Sequence, residues 1–305
     1  MAAGDIPVTI NLDNYLALKA VSQEIYVSFT NDLLFCIVDA NATEVTSPSW
    51  GLLPAGSLRV VYSGQKMVVK ANLIPVEDTS EGGIGTFTIT RSSDTAYCTL
   101  HGTVMSLIYG DNAEGQWNVP AYAFMRLFSG CDIISGVLTP NIFFGLGFTF
   151  GAYSCRSMFS GCTNLRIGPT LEDHDASALA CFYGMYSGCS NLLVATTTFS
   201  SSVGNTSYAS MFEGCSSLPL NVVLPATGFA STTKNAYRKM FYGCNKINSV
   251  ELKLSALPGD SSNISEMLYG VADTGTIKVT NTVKNSESTL RSQTGLPSGW
   301  TVTTI

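Results

Sequence analysis

The sequence predicts an α+β protein: an N-terminal antiparallel β-sandwich, then a curved solenoid of short repeats, closed by a C-terminal β cap. Three observations carry this. A five-residue pattern recurs six times, as Leu127-Phe-Ser-Gly-Cys131, Met158-Phe-Ser-Gly-Cys162, Met185-Tyr-Ser-Gly-Cys189, Met211-Phe-Glu-Gly-Cys215, Met240-Phe-Tyr-Gly-Cys244 and, decayed, Met267-Leu-Tyr-Gly-Val271. Successive copies are spaced by 31, 27, 26, 29 and 27 residues, a period that marks a repeat array. The first third lacks the pattern and reads instead as short apolar segments between Gly, Ser and Asn turns, as sandwiches do.

In that first third the expected strands are 24–29, 33–38, 58–62, 67–72, 85–90 and 95–101, with Ser63-Gly-Gln-Lys66 as a hairpin turn. The domain is assigned to residues 1–103, and the boundary region runs to about residue 120. Residues 104–271 hold the six repeats. Within each, apolar residues stand at −3, 0, +1 and +4 from the Met or Leu, which fits one face of a short helix. The glycine before each Cys would end that helix. A polar turn follows (Thr163-Asn164, Ser190-Asn191, Ser216-Ser217, Asn245-Lys246), and then an apolar residue opening a short strand, as in Val222-Val-Leu-Pro225 and Val250-Glu-Leu-Lys-Leu254.

One such unit cannot bury its own apolar face, so neighbours must stack. Strands stack at ~4.8 Å and helices at ~8–10 Å, so the expected stack curves with helices outside. Residues 272–305 carry the strand-like segments 275–280 and 299–305 and are expected to seal the last repeat.

Composition narrows the function. Charged residues are 12% of the 305 and hydrophobic ones 45%, too apolar for a disordered chain. A net charge of −6 argues against nucleic-acid binding, which needs clustered Lys and Arg. The most apolar stretch, 142–153, is short of a membrane span and broken by three glycines. The start, Met1-Ala-Ala-Gly-Asp-Ile-Pro7, does not read as a secretory signal, so the expectation is a product that stays in the cytoplasm or leaves by another route.

The units resemble the BspA-type leucine-rich repeats, which read Tyr-x-x-Met-Phe-x-Gly-Cys-x-x-Leu followed by Leu-Pro-Ala-Thr. Tyr208-Ala-Ser-Met-Phe-Glu-Gly-Cys-Ser-Ser-Leu218 and Leu224-Pro-Ala-Thr227 match that pattern. Val104–Gly110, the ending Gly295–Val302 and the run Trp50–Leu73 are similar to the lead-in, tail and preceding β-domain of such chains. The resemblance implies a leucine-rich-repeat solenoid from gut anaerobes, where such proteins are surface adhesins, or from their phages (crAss-like among them), where they are virion fibres or receptor-binding proteins. The first repeat lacks its Leu-Pro-Ala-Thr segment. The absent leader and lipid-attachment Cys favour the virion over the alternative, a bacterial surface adhesin whose leader was removed.

No residues present themselves for catalysis, a cofactor or a metal, and the chain is read as non-enzymatic. Nine cysteines include no Cys-x-x-Cys pair. One per repeat makes a ladder rather than the four converging ligands of zinc, so they read as buried thiols or, alternatively, disulfides between neighbours. Cys36, Cys98, Cys155 and Cys181 should pack likewise. Gly145-Leu-Gly147-Phe-Thr-Phe-Gly151 lacks the spacing of a dinucleotide fingerprint, and Gly82-Gly-Ile-Gly85 reads as a turn. Glu172-Asp-His-Asp175 is a solvated loop or a weak calcium site. Neither His101 nor His174 has an evident nucleophile partner. Asn41, Asn205 and Asn263 begin glycosylation triplets in form only.

The insert 141–150 offers Phe143, Phe144, Phe148 and Phe150 either as repeat packing or as an apolar contact with another chain. The resulting expectation is a homo-oligomer, with a trimer suiting a fibre. Its N-terminal domain would attach to other virion proteins, and its repeats would display a surface for a host protein or glycan. Neither nucleic-acid binding nor membrane insertion is expected.

Overall fold

The computed structural model describes residues 8–78, 82–138, 142–143, 148–171, 174–196 and 198–305. The chain is mostly β with few helices, and a β-solenoid of about seven turns begins at residue 118. The N-terminal sheets expected from the sequence are present. All six predicted strands appear, at Ile25–Phe29, Leu33–Asp39, Arg59–Val61, Gln65–Lys70, Phe87–Arg91 and Tyr97–His101.

Five of the N-terminal strands join one solenoid strand in a six-stranded sheet. Its order is Ile134–Val137, Tyr97–His101, Leu16–Val21, Gln65–Lys70, Leu33–Asp39, Gly51–Leu53. A three-stranded sheet, Arg59–Val61, Ile25–Phe29, Phe87–Arg91, packs on it. Leu16, Leu18, Met67 and Val69 from one sheet and Ile25, Val27, Val61 and Phe87 from the other share the core. A smaller core of Leu12, Tyr15, Ala17, Cys36 and Val68 lies on the opposite face of the larger sheet.

The Ser63–Lys66 segment is a turn but not a hairpin. The strands it joins belong to different sheets, so it carries the chain across the sandwich. This lets Val61 and Met67 reach one core from opposite sides.

The repeats depart from expectation in a more consequential way: the −3 to +4 segment is not a helix. It is a ribbon of consecutive turns, two residues inward and two outward. In the second unit Met158, Phe159 and Cys162 are buried while Arg156, Ser157, Ser160 and Gly161 are half-exposed. Every fourth residue has positive φ, as at Tyr153 (58°), Ser157 (54°) and Gly161 (76°), which a right-handed helix forbids.

The hydrogen bonds alternate accordingly. The amides of Arg156, Met158, Ser160 and Cys162 donate three residues back, to Tyr153, Cys155, Ser157 and Phe159. Those of Cys155, Ser157, Phe159 and Gly161 donate to the next unit, to Cys181, Tyr183, Met185 and Ser187, at 2.8–2.9 Å. The ribbon is therefore a β-like ladder along the rod. Non-glycine residues at positive φ cost about 1–2 kcal/mol each. The inter-unit hydrogen bonds, at about 1 kcal/mol net apiece, offset this. With ladders on both sides, the helix-to-strand spacing difference expected to curve the stack does not exist.

Strands lie where predicted at Asn221–Leu224, Ser249–Leu252, Thr274–Val279 and Gly299–Thr304, pairing in parallel register. In the second and third units the strand shrinks to single bridges at Ile167 and Val194. A lesser parallel row enters the ribbon through Asn118–Val119, Thr149–Phe150, Asp175–Ala176 and Val203.

Two helices that the sequence reading did not expect, Asn281–Lys284 and Glu287–Thr294, lie between the last two strands. The second ends at Gly295. Its final carbonyls, otherwise unpaired at a helix C-terminus, accept from the sixth ribbon through Glu266 N to Gln293 O and Leu268 N to Thr294 O.

Sandwich and solenoid are continuous. Strand Ile134–Val137 pairs in parallel with Tyr97–His101, Ile84 N donates to Ala123 O, and Phe87 N donates to Leu127 O. Phe87 also starts a stack of rings through Phe128, Phe159, Tyr186, Phe212 and Phe241, with centroids 5.3–5.9 Å apart and planes within 16°. One hydrophobic cluster runs from Leu16 to Val302, across residue 103.

Candidate functional site

The strand-bearing face of the first turns forms an open groove of about 790 Å³. Each wall is built by the repeat, because equivalent positions of successive units stack. One row is Asn164, Asn191 and Ser217; a second is Ser135, Arg166 and Leu193; a third is Gly136, Ile167 and Val194. Tyr97, Thr99 and Leu138 close the end nearest the sandwich. Leu138, Ile167 and Val194 are 49%, 41% and 51% exposed, so the groove sets an apolar strip beside the rows that carry its polar groups.

The backbone beneath is already paired through Val137 N to Ile167 O, Arg166 N to Ser135 O and Gly168 N to Val194 O. What the groove offers is therefore side-chain chemistry. Asn191 Nδ2 donates to Thr163 O and Ser135 Oγ to Cys98 O. Among the described residues, no partner engages the side-chain polar groups of Tyr97, Asn164 or Arg166. Arg166 is the single charge in the lining. Lys19, the cross-strand partner of Thr99, lies outside the lining and donates from its Nζ to Asn41 Oδ1 at 3.4 Å.

The predicted contact residues sit elsewhere. Phe143, Phe148 and Phe150 are buried at 1%, 3% and 6% exposure. Phe143 meets Phe150 edge-on at 5.2 Å, Phe150 meets Phe182 at 4.7 Å, and Phe148 lies 6.0 Å from Trp117. The structure thus places these three rings in the core, where they present no exposed contact surface. Phe144 lies outside the described residues, as do Gly145 and Gly147 of the glycine-rich run and Glu172 and Asp173 of the acidic cluster. Asp175 accepts from the amide and hydroxyl of Ser177, both at 2.8 Å. Among the described residues no group of His, Cys, Asp and Glu is placed to hold a metal.

All nine cysteines are free thiols in buried positions. Burial pushes Cys131 up to about 11 and both Cys189 and Cys244 up to about 12, which keeps the thiols protonated and unreactive.

His101 is held down to about 4, chiefly by burial and then by Lys66 and Lys19, and its Nε2 lies 3.1 Å from Thr99 Oγ1. Burial also lowers the pKa of Lys66, whose Nζ donates to Ala42 O. His174 joins Leu171 O (2.8 Å) to the Tyr208 hydroxyl (2.6 Å), and that hydroxyl also accepts from Ser200 N. This knot ties two loops together.

Of the groove residues, Tyr97 and Thr99 fell in the expected strand 95–101, and Asn164, Asn191 and Ser217 were visible in the sequence only as turn residues. Their recurrence at one offset, Asn164, Asn191, Ser217, was the signal that they form a row. No protein family, curated protein or solved structure matches this chain. Among the described residues no helix is long and apolar enough to cross a membrane.

Proposed function

We propose that this chain is a non-enzymatic attachment protein of a phage particle, a fibre or spike component that displays a repeat surface to a host. The observation that carries the reading is the fusion of sandwich and solenoid through one sheet and one ring stack, from Phe87 to Phe241. That construction makes a rigid rod able to hold a binding groove at a fixed distance and angle from its base. The sandwich would bind other virion proteins. Several copies, as a homo-oligomer and in a fibre a trimer, would raise modest contacts to useful avidity.

In this reading the repeats are BspA-type leucine-rich repeats whose Met-Phe-x-Gly-Cys segment folds as a turn ribbon. Residues 272–305 act as the cap, supported by the helix that receives the last ribbon's amides. Mass spectrometry of purified particles against cell-envelope fractions tests the proposal. Presence in particles is expected. Recovery in the envelope alone would replace it with the bacterial surface adhesin.

A further inference from the structure

We infer that the groove lined by residues between Tyr97 and Ser217 binds an extended polysaccharide chain bearing carboxylate groups, Arg166 reading the carboxylates. The inference rests on the attachment reading for its biological setting, but its chemistry is argued from the groove alone.

The volume, about 790 Å³, lies within the range of about 300–1,000 Å³ typical of small-ligand sites. It is spread along several rungs of the rod rather than enclosed, which suits a chain with a repeating unit. An extended peptide normally adds as a strand to a free sheet edge. Here Val137, Arg166 and Gly168 already use their amides between turns, and the groove presents the face of the sheet rather than an edge.

A second protein covering the groove would bury the unpaired Arg166 guanidinium and Asn164 amide, each at a desolvation penalty unless matched. Sugar hydroxyls both donate and accept. They complement the mixed row of Asn164, Asn191 and Ser217, while sugar C–H faces lie against Ile167, Val194 and the Tyr97 ring. Arg166 is unpaired in a chain of net charge −6, and a fork of guanidinium donors matches a carboxylate.

The test is an array of uncharged and uronate-containing oligosaccharides, probed with the full chain, with Arg166→Ala and Asn164→Ala, and with Lys278→Ala as a distant control. Arg166 and Asn164 are surface side chains, and unchanged thermal unfolding of each variant confirms folding. Uronate-containing chains should be retained over uncharged ones of equal length. Arg166→Ala should abolish that preference with a loss of at least tenfold. Asn164→Ala should weaken both classes, and Lys278→Ala neither.

Silence across the array, or equal retention by Arg166→Ala, overturns the inference. So does binding to host cells that survives periodate but not protease, which would indicate a protein partner. Presence in particles with a silent array counts against the groove alone. Array binding without the protein in particles or envelopes counts against attachment alone.

Discussion

The Cys162 thiol donates to the Phe128 carbonyl one turn back, at 3.0 Å. The same contact recurs from Cys131 to Phe87, Cys189 to Phe159, Cys215 to Tyr186 and Cys244 to Phe212, at 2.9–3.2 Å. The carbonyls of Phe128, Phe159, Tyr186 and Phe212 already accept the amide three residues on, and the thiol of the next unit fills the second lone pair. A small, weakly donating side chain is what this packed position takes.

The thiols should therefore be chemically silent in the native state. An aromatic disulfide reagent at pH 8 is expected to label none of the nine until the protein is unfolded, and then all nine. Cys189→Ala should cost about 1–3 kcal/mol in denaturant unfolding, from the lost bond and the small cavity. Rapid native labelling of the ladder cysteines would contradict their placement.

The rings of the insert should behave as core. Phe143→Ser and Phe148→Ser are expected to lower stability by at least about 3 kcal/mol each, while any oligomeric state at native temperature stays unchanged. Loss of assembly with full stability would return them to the surface.

Acid sensitivity should include a histidine component. His101 is held at about 4 in the native protein against an ordinary 6.5. The unfolded chain therefore binds more protons between those values. The stabilising contribution is complete above pH 6.5 and lost as pH falls toward 4. In urea titrations from pH 7 to 4, His101→Gln should flatten that part of the decline. An identical slope in the variant would remove His101 as its source.

Much of this architecture was legible in the residues. The six copies fixed the repeat unit, and the predicted strands near residues 222, 250, 275 and 299 all formed. The strand Leu16–Val21 escaped notice because its Leu-Ala-Leu-Lys-Ala run favours a helix by propensity. Burial of Leu16 and Ala17 on opposite faces overrides that preference.

The helix expected in each unit failed for a subtler reason. Apolar positions at −3, 0, +1 and +4 fit a period of four as well as one of 3.6, and only the backbone distinguishes them. The glycine at +3 was the available clue. It recurs as Gly130, Gly161, Gly188, Gly214, Gly243 and Gly270, all at φ 72–77°, within a unit rather than only beyond its end. The groove stayed hidden because a row across units does not show in any single copy.

The turn ribbon itself is tested most directly by two substitutions with opposite expected signs, Ser210→Gly and Gly214→Ala, compared by denaturant unfolding. Ser210 sits at φ 53° and Gly214 at φ 77°, and a Cβ on Gly214 would meet only Gly188 backbone at 3.7–3.8 Å, an ordinary contact. The ribbon predicts that Ser210→Gly stabilises by about 1 kcal/mol and Gly214→Ala destabilises by about 1–2 kcal/mol. A helix in that segment would reverse both signs, since glycine is the poorer helix former by up to about 1 kcal/mol. That reversal would contradict the ladder from which the whole rod is built.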